Sequence, residues 1–224
     1  MKALVFDLDD TLYNEADFVH GAFREVADYL SKKHKLDRDE LYRTMLGLLA
    51  NNGRGRIFND ICALYNLNED ISSLVEIYRN SAPQISLYED AEHFLKYCRG
   101  KFKLGLVTDG IHYVQWNKIR LLDLEKFFDS IIVTDDYGKD FCKPSIKPYV
   151  KIAEELGVDF DEIICIGDNP RKDFYGAKQL GIHTVRIIRP VGDHMRLRLG
   201  RDYEADREIT GMYEMKAVIS WLRV

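Results

Sequence analysis

The sequence predicts an α/β protein built on a doubly wound parallel sheet, with a small α-helical domain inserted after the first strand. Short apolar runs, most of them ending in a polar residue or glycine, alternate with stretches of helical periodicity. The acidic motifs fall at the carboxyl ends of those runs, where open α/β sheets place their functional loops. After the first run the alternation breaks, because about 70 residues carry helical periodicity and no convincing buried strand.

Residues 3–8 read as the first strand, rich in apolar residues and expected to be buried on both faces. Residues 14–85 form the helical insertion. There Phe18, Ala22, Val26, Tyr29 and Leu30 recur at helical spacing, as do Leu41, Met45, Leu48 and Leu49, and then Ile57, Ile61, Leu64 and Tyr65. These are assigned to the insertion's own core, and the glycines within 51–56 mark a loop between them. Four further strands are expected at 103–108, 130–134, 162–167 and 183–188, separated by helices at about 88–100, 111–122, 145–157 and 171–181. An edge strand at 205–209 and a last helix ending near Trp221 and Leu222 complete the chain. Residues 1–13 and 86–224 thus form the core domain, and 14–85 the helical domain.

A chain of 224 residues, 46% of them hydrophobic, buries one full core and an accessory domain. Its 32 basic and 37 acidic residues leave a net charge of −5, and no long basic stretch follows a nucleic-acid backbone, which argues against nucleic acid as a main partner. The first 20 residues place acids where a signal peptide needs its apolar stretch, and they contain no run of membrane length, so a soluble cytoplasmic protein is expected. Cys62, Cys98, Cys142 and Cys165 are scattered without a C-x-x-C pair and read as reduced thiols. Protein partners and oligomeric state leave no legible signal.

Val5 and Phe6 belong inside the sheet, yet Asp7 and Asp9 follow at once, and a carboxylate there needs compensation. Alone, the run Asp7-Leu8-Asp9-Asp10-Thr11 serves equally as a helix cap or a turn. A second apolar run, 163–167, also ends in an acid, Asp168, with Asp173 just beyond. If the first and fourth strands are neighbours, Asp7 and Asp168 face each other across the switch point, and a hard divalent cation would relieve their repulsion. Oxygen-only ligands with a phosphate partner favour Mg²⁺ over Zn²⁺. Asp173 reads alternatively as a charge at a helix N-terminus. Thr108-Asp109-Gly110 offers a hydroxyl and backbone N–H groups where a helix begins, and Lys143 before Pro144 offers a fixed cation; both suit a phosphate. Taken singly, Thr108 reads as a helix cap and Lys143 as a solvated charge.

Together these residues resemble the haloacid dehalogenase-like hydrolase superfamily, whose four motifs appear in order. Residues 5–12 are similar to the first, 107–110 to the second, Lys143-Pro144 to the third and 167–173 to the fourth. The resemblance implies a Rossmann-like core, with the insertion as a C1-type helical cap. It implies an Mg²⁺-dependent phosphatase acting on a small phosphorylated metabolite. Asp7 would be the nucleophile that forms an aspartyl-phosphate, and Asp9 the general acid and base. Mg²⁺ would be held by Asp7, the Asp9 backbone carbonyl, Asp168, and Asp173 directly or through water. Thr108, Asp109 with its neighbouring N–H groups, and Lys143 would bind phosphate.

A second pair, Lys147-Pro148, competes for the third motif. Lys143 is preferred because Lys147 would fall inside the following helix. Asp136 and Asp140 are expected on the surface of the preceding loop. Asp9 argues against carbon-halogen chemistry, because displacing halide needs no proton donor. A sugar phosphomutase remains an alternative, as does, from a different class, a non-catalytic phosphate-ligand binding protein. Candidate specificity residues are Tyr13 and Asn14 at the hinge, and Arg54 and Arg56, whose other reading is solvated loop charge.

Overall fold

The computed structural model describes residues 1–222. The chain divides into two compact units, one comprising Met1–Glu15 with residues from Ser86 onward, the other Ala16–Ile85.

The first unit is built on a wholly parallel sheet of β1 (Ala3–Phe6), β2 (Lys103–Thr108), β3 (Ser130–Val133), β4 (Ile163–Gly167), β5 (His183–Ile187) and β6 (Arg207–Ile209). Their spatial order is β3-β2-β1-β4-β5-β6. The chain therefore runs outward from β1 on one side, returns, and runs outward on the other. This places the switch point at β1, whose Leu4 pairs with Leu104 of β2 and Ile164 of β4. Every residue of β1 and β4 is buried, as continuous apolar runs between two covered faces require. One face packs Ala3, Val5, Ile163 and Cys165 with Tyr149 and Ile152. Phe6 meets Phe94 and Phe128 edge to face, with ring centroids 6.3 and 5.9 Å apart. The outermost strand, β6, exposes Arg207 and Glu208, charges that discourage pairing with another edge.

The second unit holds four helices: α1 (Glu15–His34), which starts on the last residue of the first unit, α2 (Arg38–Asn52), α3 (Ile57–Leu64) and α4 (Ile71–Arg79). Asp37 caps α2 by accepting from Glu40 N at 2.7 Å, and Asp70 caps α4 by accepting from Ser72 N at 3.1 Å. Val26, Leu30, Leu41, Met45, Ile57 and Ile61 share one core, with Tyr29, Leu48, Leu49 and Tyr65 packed against it. Leu64 departs from the periodicity. It is 64% exposed, because α3 ends on it and the chain turns, so that Leu67 packs on the core instead.

The sheet is flanked by α5 (Glu89–Cys98), α6 (His112–Leu121), α7 (Lys147–Leu156) and α8 (Tyr175–Gln179), and the described chain closes with α9 (Met215–Leu222). The helix expected at 171–181 is cut to α8. Its first residues form a turn in which Asn169 Oδ1 accepts from Arg171 N at 3.0 Å and Asn169 O from Asp173 N at 2.9 Å. β1 likewise stops at Phe6 rather than Leu8, because Leu8 O accepts from Leu12 N in a turn. All four cysteines are free, three of them buried. Among the described residues no helix is long and apolar enough to cross a membrane.

Candidate active site

β1 carries Asp7 to the switch point, where Asp7 N donates to Ile166 O of β4 at 2.8 Å and locks the two strand ends together. Asp7, Asp168 and Asp173 converge there, each offering a carboxylate oxygen within 4.8 Å of the others. Gly167 makes this approach possible: a Cβ on it would lie 2.4 Å from Asp173 Oδ2. Asp173 Oδ2 accepts from Asn169 N at 2.8 Å, and its backbone carbonyl from the Tyr149 hydroxyl at 2.7 Å.

Lys143 enters this cluster from the loop before α7. Its Nζ donates to Asp7 Oδ1 at 2.5 Å, to Asp173 Oδ1 at 2.7 Å and to Val107 O at 3.2 Å. Burial works against the ammonium, but Asp173 and Asp7 more than reverse it and hold its pKa well above the ordinary lysine value. Lys147, the competing lysine, lies on the surface at the start of α7 and pairs with Asp140 at 3.2 Å.

One ammonium does not balance three carboxylates. Burial, then Asp173 and Asp7, push the Asp168 carboxyl far above the usual range, and its buried Oδ2 has no hydrogen-bond partner. For Asp7 burial is again the main cause, partly offset by Lys143, and its pKa is also raised. A buried acceptor without a donor, in an oxygen-only cluster carrying excess negative charge, fits a hard divalent cation.

Asp9 lies apart from this cluster, with its side chain turned toward α6. Its Oδ1 accepts from the Tyr13 hydroxyl at 2.6 Å and Lys118 Nζ at 2.7 Å, and its Oδ2 from Gln115 Nε2 at 3.0 Å. Side-chain exposure separates the acids: Asp9 retains 21% and Asp7 12%, while Asp173 retains 2%. Asp7 and Asp9 are thus the pair that an incoming molecule can reach.

Thr108 ends β2 and is buried, accepting from Gln115 Nε2 at 2.6 Å. The Asp109 carboxylate accepts from Thr134 Oγ1 at 2.8 Å and Lys143 N at 3.1 Å, and pairs with Lys172 at 3.2 Å. It therefore ties the second and third motif loops together. Tyr13 is fully buried, with its hydroxyl committed to Asp9, and Asn14 is half-buried beside it. Arg54 and Arg56 are exposed in the segment between α2 and α3, Arg56 3.7 Å from Asp60.

Gln115 and Lys118 escaped sequence reading. A lone Gln and Lys on a helix carry no signal in the sequence; in the structure α6 buries Val114, Gln115, Lys118 and Ile119 together, so two polar side chains occupy a buried face.

Residues 4–187 match the family model for haloacid dehalogenase-like hydrolases. The chain is 28% identical to a glyceraldehyde 3-phosphate phosphatase of Methanocaldococcus jannaschii, covering 100% of this chain and 99% of the relative. It is 30% identical to the protein of that name from Methanopyrus kandleri, over 92% of this chain and 94% of the relative. Among solved structures, a HAD phosphatase from Thermococcus onnurineus superposes with a TM-score of 0.65 at 31% identity, covering 100% of both chains. The chain belongs to the haloacid dehalogenase-like hydrolase family. Within that family it is a phosphatase.

Proposed function

We propose that this phosphatase hydrolyses a small phosphate monoester with Mg²⁺, through an aspartyl-phosphate on Asp7. The observation that carries the reading is the separation of two partly exposed carboxylates. Asp7 is braced by Lys143 inside an acidic cluster, and Asp9 is held a short distance away by an independent set of donors. In this reading Asp7 attacks phosphorus and Asp9 moves protons.

A carboxylate oxygen of Asp7 forms the new bond to phosphorus as the bond to the leaving oxygen breaks, and Asp9 protonates the departing alkoxide. Left as a carboxylate, Asp9 then takes a proton from the water that attacks the aspartyl-phosphate. That step frees inorganic phosphate and restores both acids. Thr108 and the N–H groups of Asp109 and Gly110 hold the equatorial phosphoryl oxygens, and Lys143 balances charge on Asp7 and the phosphoryl group. The carboxylates of Asp7, Asp168 and Asp173 and the Asp9 backbone carbonyl would hold Mg²⁺, which supplies charge neutralisation and orientation of the phosphoryl group.

The helical unit serves in this reading as a specificity cap, with Arg54 and Arg56 as its candidate substrate contacts and Asn14 of the first unit as a further one. Relatives named for glyceraldehyde 3-phosphate make that compound the first substrate to test. A screen of phosphorylated metabolites with Mg²⁺ should release phosphate from one small monoester class, which we expect to include glyceraldehyde 3-phosphate. An isomerised product without free phosphate would replace the reading with a mutase. Binding without any turnover across the screen would replace it with a phosphate-ligand binding protein.

A further inference from the structure

The side chains that hold Asp9 take no part in the chemistry proposed above, and they are costly to place where they are. Lys118 is 3% exposed and Gln115 2% exposed. They lie three residues apart on one face of α6, beside the buried Val114 and Ile119. Apolar side chains at both positions would fill the same space without desolvating an ammonium and an amide. The structure instead aims three donors from two segments of chain at a single carboxylate. Lys118 Nζ and the Tyr13 hydroxyl meet at Oδ1, at 2.7 and 2.6 Å, and Gln115 Nε2 reaches Oδ2 at 3.0 Å. Both oxygens are therefore fixed and the carboxylate plane cannot rotate freely.

Two further contacts tie this clamp to its surroundings. Lys118 Nζ also lies 3.4 Å from Glu15 Oε1, so its charge is shared between two acids. Gln115 Nε2 also reaches Thr108 Oγ1 at 2.6 Å, linking the Asp9 carboxylate to the end of β2. The backbone beside it accommodates this. Gly110 has a φ of +148°, and a Cβ there would lie 2.9 Å from Gln115 Cδ, so only glycine lets the amide lie against the loop.

We infer that Lys118 is a positioning residue for Asp9, acting with Gln115 and Tyr13 to aim the Asp9 carboxyl at the leaving oxygen. The inference rests on the acid role proposed for Asp9. Its consequence is selective. An alkyl phosphate leaves as an alkoxide that must be protonated, whereas p-nitrophenyl phosphate leaves as a stable phenolate that needs no proton. Misaiming the acid therefore slows the first and spares the second.

The test is kcat/KM of the full chain with Mg²⁺ on both kinds of ester, with glycerol 3-phosphate as the first alkyl probe. For Lys118→Met, kcat/KM on the alkyl phosphate should fall roughly 10²-fold and that on p-nitrophenyl phosphate no more than about threefold. A merely structural role lowers both in parallel, and parallel loss or no loss overturns the inference. Tyr13→Phe removes one oxygen and keeps the aromatic body. It should show the same split at about tenfold, and it decides the matter if Lys118→Met does not fold. Asp9→Asn measured alongside separates the two levels. If it splits the substrates and neither positioning variant does, positioning alone is wrong. If it shows no split, the acid assignment fails and the inference with it.

Discussion

Asp7→Asn is expected to lower Mg²⁺-supported hydrolysis of a phosphate monoester by at least roughly 10³-fold while the protein stays folded. An amide oxygen is too weak a nucleophile to displace an alkoxide from phosphorus. Neighbouring groups survive the change, because Lys143 keeps its 2.7 Å contact with Asp173. Removing one of three mutually repelling carboxylates also relieves strain in the cluster, so the unfolding temperature should be equal or higher. Turnover and thermal unfolding measured on the same preparation check both halves, and near-wild-type turnover would exclude attack by Asp7.

Asp168→Asn should change the response to metal most. Its carboxyl is held far above its ordinary pKa by burial and then by Asp173 and Asp7. An acid whose folded-state pKa is raised stabilises the fold while protonated, below its unfolded pKa. That stabilisation is lost as pH rises through the folded-state pKa. The metal-free protein should therefore lose stability with rising pH above the carboxylate range, and Mg²⁺ should restore it. At about 100 times its dissociation constant the ion contributes roughly 2.7 kcal/mol, or about 5–10 °C in Tm for a chain of this size. Asp168→Asn should raise the metal-free Tm, abolish most of the Mg²⁺ increment and leave little turnover. Differential scanning calorimetry with and without Mg²⁺ reads this directly, and an unchanged Mg²⁺ increment would remove Asp168 from the metal site.

Much of the architecture was legible because buried parallel strands leave continuous apolar runs. β2 occupies Lys103–Thr108 as read, and the pairing of β1 with β4 brings Asp7 toward Asp168. Helix starts were harder. The run from Asn169 to Asp173 is polar enough to open a helix, yet its side-chain and backbone acceptors close a turn first, and α8 begins only at Tyr175. Leu64 misled for a different reason: periodicity says which face a residue shares but not where the partner surface ends. Asp7, Asp109 and Asp168 could be found because each directly follows a buried strand. Gln115 and Lys118 could not, since a lone Gln and Lys on a helix normally read as solvated, and only the burial of their face gives them meaning. The sequence shows Tyr13 only as a residue at the hinge, and the structure gives its hydroxyl to Asp9.

The covalent intermediate is where the proposed chemistry can be seen most directly. In Asp9→Asn, p-nitrophenyl phosphate still transfers its phosphoryl group, because its leaving group needs no proton, but the water that should release it has lost its base. Rapid quenching of that variant with p-nitrophenyl phosphate and Mg²⁺, followed by peptide mass spectrometry, should find one acid-stable, hydroxylamine-sensitive phosphoryl group on Asp7. Release of nitrophenolate without any phosphoryl group on Asp7, or with the group on another residue, would contradict nucleophilic attack by Asp7.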